Sequence, residues 1–255
     1  MAFVDILALE EVTLLIAAVV IGYVGLIGFL AMRRNDPPGL HSALRGAAIP
    51  IGSLGVIVTT LAIWGEFAWP LPGSYNILFT DVYLLFGLTL VILAISMAGA
   101  LKLQYAGLFA LVAGGVSIAY GWAGYGLNMT KEPLETFLLY GAFGLSGILA
   151  FPATLVVDHY FAHPDGTAFA FGSGVSASHR HVSMRAATRA AQPLVPVGSA
   201  ATADPEPTPS LRASFHLPIY IDVTLLIFVA SIALAGIAAL FYLDSTLSAH
   251  LTSAP

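Results

Sequence analysis

Two histidines one helical turn apart, His159 and His163, can reach a single metal ion, because residues at i and i+4 share one helix face. His179 and His181 follow in the next polar stretch, and Asp158 or Asp165 brings an oxygen that completes a shell. These four histidines are the candidate metal ligands. Against them, the spacing lacks the glutamate of a His-Glu-x-x-His site, and a solvated loop collects histidine without binding anything. A second group couples acids with aromatic rings. Glu66, Trp69, Asp81, Trp122 and Glu132 fall in stretches rich in Trp and Tyr, among them Trp64, Tyr83, Tyr120 and Tyr140. Carboxylates beside aromatic faces suit a cation or a small polar ligand, and Glu66 leads because it ends an apolar run without a capping task. The competing reading is an aromatic belt at the membrane boundary, with Asp81 after Thr80 and Glu132 before Pro133 as ordinary helix-start residues. No histidine falls at the middle of an apolar run, which argues against a haem between two of them. No cofactor is expected, and neither a Ser-His-Asp set nor a Gly-rich phosphate loop is placed for catalysis.

The elements that must position these groups follow from composition. Hydrophobic residues make up 58% of the 255-residue chain and charged residues only 9%, too little polar surface for a water-soluble domain of this length. Nucleic acid is excluded as a partner by the sparse basic charge. Cysteine is absent, so disulfides, thiolate metal sites and Cys nucleophiles are excluded too.

A spanning helix needs about 20 apolar residues. Six runs of that kind emerge: about Val12 to Met32, Ala47 to Trp64, two between Val82 and Leu127 separated near Lys102 and Gln104, Leu134 to Val157, and Ile219 to Tyr242. Arg33, Arg34 and the Pro37-Pro38-Gly39 breaker end the first run. Pro50 lies near the start of the second, and residues 65–81 read as an ordered loop outside the membrane. Asp5, Glu10 and Glu11 precede the first run, so no basic signal-peptide region is present and the first span is retained. The expected fold is an all-α integral membrane protein, a bundle of about six transmembrane helices with one long disordered cytoplasmic loop. Residues 1–163 hold the first five helices, 164–216 the low-complexity loop, and 217–255 the sixth helix with a short external tail.

Orientation follows from the basic residues, since loops rich in Lys and Arg stay cytoplasmic. Six spans put Arg33, Arg34, Arg45, Lys102 and the four arginines of the long loop on one side, and Lys131 alone on the other. Both termini are expected outside a cell membrane. Rows of small residues, Gly22-Gly25-Gly28, Gly141-Gly144-Gly147 and Ala110 with Gly114, read as helix-packing seams. A faint echo links AIWGEFAWPL and DVYLLFGL with AYGWAGYGLN and TFLLYGAFGL, as a parallel repeat of two hairpins would. Asp222 enters the sixth run by about a turn, where its side chain can reach back to Arg212 or water.

The motifs TDVYLLFGL, LQYAGLFALVAGG, GYGLNMTKEPL and GAFGLSGILAFPATLVVD, spread between Thr80 and Asp158, resemble domain of unknown function 981, a family of prokaryotic multi-pass membrane proteins. The resemblance implies the membrane fold and no known activity. Read together, the residues favour a non-enzymatic role, either an accessory or structural subunit of a membrane complex or a small transporter-like bundle. A homo-oligomer or other membrane subunits are the expected partners besides lipid. The alternative is a membrane enzyme or redox subunit using the acidic aromatic group or the histidines.

Overall fold

The computed structural model describes residues 6–162 and 219–252, so His163, His179, His181 and the expected cytoplasmic loop lie outside the described residues. All of its regular structure is helical: α1 (Ile6–Arg33), α2 (Pro37–Ala68), α3 (Ser74–Ala98), α4 (Gln104–Gly126), α5 (Pro133–Ala162) and α6 (Ile219–Thr252). Each of the six is long and apolar enough to cross a membrane, with mean hydropathy between 1.5 and 2.6. Large apolar side chains such as Ile49, Phe67, Val112, Leu226 and Phe241 point outward and are exposed. That arrangement suits a hydrocarbon solvent, and helices are the form in which a chain satisfies its backbone there.

The helices follow one another around a ring. Each packs against its neighbours in sequence, and α6 returns to pack against α1. Two hairpins have the closest seams. A Cβ on Gly114 would lie 2.4 Å from the carbonyl oxygen of Gly144, and one on Gly147 would lie 2.6 Å from that of Ala110, so the α4 and α5 backbones meet where no side chain fits. In the α2–α3 hairpin a Cβ on Gly55 would lie 2.8 Å from the Val91 nitrogen, and one on Gly87 would lie 2.7 Å from that of Thr59. Gly87 and Gly144 are each the centre of a Phe-Gly-Leu triplet, so the sequence echo has a packing counterpart. The expected rows divide on inspection. A Cβ on Gly22 or Gly28 would make ordinary contact with Ile232 or Leu40 and one on Gly25 a tighter contact with Val229 at 3.3 Å, whereas Gly141 faces open space.

Three boundaries differ from the sequence reading. The Pro-Pro-Gly segment starts α2 instead of merely ending α1: Asp36 accepts the Gly39 N–H at 2.9 Å, and Pro37 occupies the first helical position, where a missing N–H costs nothing. Pro50 consequently lies inside a 32-residue helix. Residues 65–81 are mostly helix, because α2 runs to Ala68 and α3 starts at Ser74. Asn76 ties the short connection down, donating to the Gly65 carbonyl at 3.1 Å and accepting from Leu71 N–H at 3.4 Å. Asp81 therefore lies within α3 and does not start it. Finally, α1 begins six residues before Val12 and takes in Glu10 and Glu11.

Candidate functional site

A cavity of about 230 Å³ lies inside the ring and is lined by all six helices. Its lining extends along α1 from Leu7 to Met32, roughly 38 Å at 1.5 Å per residue, so the space is long and narrow. Most of the wall is Leu, Val, Ile, Phe, Ala and Gly. Among the polar lining groups, the hydroxyls of Thr89, Ser146 and Thr154 are bonded to carbonyls of their own helices at 2.7, 2.9 and 2.8 Å.

The remaining polar groups gather where α1, α3 and α5 begin. Glu10 and Glu11 both line the cavity and are each only 4% exposed. The Glu10 Oε1 atom has no hydrogen-bond partner among the described residues. Beside the two acids stand Tyr83, Tyr140 and Tyr242 from three other helices, all buried. Thr13 donates to the Glu10 carbonyl at 2.8 Å, and the Tyr83 hydroxyl bonds Thr13 Oγ1. Because the single Thr13 proton is committed, Tyr83 is the donor in that pair. Tyr140 donates to the Leu78 carbonyl at 2.7 Å, crossing from α5 to α3, and its own carbonyl accepts from Ser117 of α4 at 3.0 Å. Thr136 lies 3.4 Å from the Tyr242 hydroxyl, which links α5 to α6. No Lys, Arg or His is among the described lining residues.

The residues singled out from sequence are placed around this centre in separate pairs. Thr80 donates to Glu66, and Tyr120 donates to Asp81 Oδ2 at 2.6 Å. Trp69 closes α2 in the left-handed region at φ 47°, with its N–H on the Gly65 carbonyl at 3.1 Å. Trp122 packs edge-on to Phe137, its ring centroid 5.8 Å away. The Glu132 carbonyl accepts the Thr136 N–H at 3.1 Å, opening α5. Trp64, Trp69 and Trp122 are all exposed, as a belt requires, whereas Tyr83 and Tyr140 turn inward. At the other end, both oxygens of Asp158 accept backbone N–H groups at the start of α4. His159 is on the last turns of α5, and no group of three or more metal-ligating side chains occurs among the described residues. Asp222 finds Arg33 of α1, with Nε to Oδ2 at 3.8 Å.

By sequence Glu10 and Glu11 precede a span, whereas the structure places both inside α1. The signal that places them is periodic: Leu7, Glu10, Leu14, Ala18, Ile21, Gly25 and Gly28 recur at steps of three and four, and all line the cavity.

Six apolar helices around a central cavity define an integral membrane protein of the helical-bundle class. Residues 1–170 match the family described as protein of unknown function DUF981, and the chain belongs to that family. The match takes in α1 and α2 as well as the stretch whose motifs carry the resemblance, and it stops before α6. No curated protein and no solved structure matches the chain.

Proposed function

We propose that this protein is a small transporter-like bundle that takes a lipophilic small molecule between its helices, with the Glu10 end facing outward across a cell membrane. The observation that carries the proposal is the long cavity, whose walls are apolar while one end bears a buried carboxyl with an unbonded oxygen. Ligand sites in helical bundles take this form, apolar walls with a few polar groups fixing orientation. An intramembrane acid is by default a functional group, because lipid offers it no solvation. The orientation is supported by the basic residues, which concentrate at the opposite end.

The test is extraction in mild detergent followed by native mass spectrometry. Wild type should carry a small-molecule adduct, and Ala113→Phe, which fills the middle of the cavity from α4, should lose it while keeping its thermal stability. A wild type that carries no adduct but co-purifies with other membrane proteins at fixed stoichiometry would instead establish the accessory-subunit role.

A further inference from the structure

We infer that the acidic end of the cavity binds the cationic head of an elongated lipophilic ion, such as a long-chain onium or amine, whose hydrocarbon chain lies along the inside of the ring. The inference rests on the binding role proposed for this cavity and names the ligand's chemistry.

Charge is the first argument. Glu10 is only 4% exposed, lines the cavity beside Glu11, and has a buried Oε1 with no hydrogen-bond partner among the described residues. A carboxyl in such surroundings either holds a proton or, when ionised, is stabilised by an opposite charge. Among the described lining residues no basic side chain offers that charge, which leaves the role open to a cationic ligand.

The neighbouring groups narrow the head further. Tyr83, Tyr140 and Phe79 bring aromatic rings to the same end of the cavity, and aromatic faces attract onium groups. The protons of the Tyr83 and Tyr140 hydroxyls are committed to Thr13 and to the Leu78 carbonyl, so they are not free to donate to an anionic or sugar-like head. A bare metal ion fits worse. Calcium takes six to eight oxygen ligands, and no cluster of three ligating side chains exists among the described residues. Below the acids, the hydroxyls of Thr89, Ser146 and Thr154 are turned back onto their own helices, leaving a hydrocarbon lining for a hydrocarbon tail.

The experiment uses the full chain in lipid nanodiscs. Radiolabelled tetradecyltrimethylammonium is measured by scintillation proximity, with empty nanodiscs subtracted, and unlabelled tetradecyltrimethylammonium or tetradecanol competes. Wild type should hold the ion on the order of tenfold more tightly than the alcohol, and Glu10→Gln should abolish that preference while Glu10→Asp keeps it. If ion and alcohol bind wild type equally, and Ala113→Phe blocks both, the cationic head is refuted while the cavity reading stands. If neither binds saturably, both fall together. A preference that survives Glu10→Gln removes Glu10 from the site. Should Glu10→Gln not fold, the ion-against-alcohol comparison on wild type still decides.

Discussion

Asp158, near the end of α5, caps α4 by accepting the Leu103 N–H at 2.9 Å, and its second oxygen takes the Gln104 N–H at 2.7 Å. A carboxylate so placed satisfies two donors that a helix start leaves open and complements the positive end of its dipole.

The loss of this cap is measurable. Asp158→Ala should lower stability in detergent by about 1–2 kcal/mol, and Asp158→Asn, which keeps one acceptor oxygen, by roughly half as much. Thermal unfolding followed by size-exclusion chromatography ranks the three proteins. Equal stability of wild type and Asp158→Ala would mean the cap contributes nothing.

Two glycines on one hairpin should answer differently to the same substitution. Gly114→Ala puts a methyl group 2.4 Å from the Gly144 carbonyl oxygen, so α4 and α5 must part, at a cost of about 1–3 kcal/mol. Gly141→Ala meets nothing within 4 Å and should leave stability within about 0.5 kcal/mol of wild type. Expression and melting temperature of the two variants, side by side, give the comparison; similar losses would contradict the seam.

Tyr140→Phe removes the donor to the Leu78 carbonyl and nothing else of size. The Leu78 carbonyl keeps its bond within α3, so losing this second donor should cost about 0.5–1.5 kcal/mol. Tyr120→Phe, whose partner Asp81 is only partly buried, should cost less. The reverse order in a thermal-shift series would show that the α3–α5 link is not structural.

Topology follows the basic residues. Reporter fusions after Asp165 should read cytoplasmic, and fusions after Leu127 or at Pro255 external. A cytoplasmic reading at Pro255 would overturn the proposed orientation.

The spans were legible because length and hydropathy are one-dimensional properties, and all six helices fall where the apolar runs lie. What direction a side chain takes was not. Defining the first run by freedom from charge started it at Val12, although Glu10 sits in register with Leu14, Ala18 and Ile21 on the inward face of α1. Tyr83 and Tyr140 were grouped with Trp64 and Trp122 for a similar reason. In lipid both faces of a helix are apolar, so hydropathy does not separate the two buried tyrosines from the two exposed tryptophans. The Pro-Pro-Gly segment was readable as a boundary but not as a start, because its meaning depends on the Asp36 side chain reaching forward to Gly39.

The ring closes through α1 and α6, which lie far apart in sequence, while α2–α3 and α4–α5 are neighbours in sequence and can pair as they emerge. During synthesis the Glu10 face of α1 must therefore wait for a partner that is made after both hairpins. Until α6 arrives, the nascent bundle is an open arc with two acids on its rim. A chain truncated after residue 170 would hold the whole family-matching region and yet remain in that arc, which makes α6 the helix that turns a set of hairpins into a vessel.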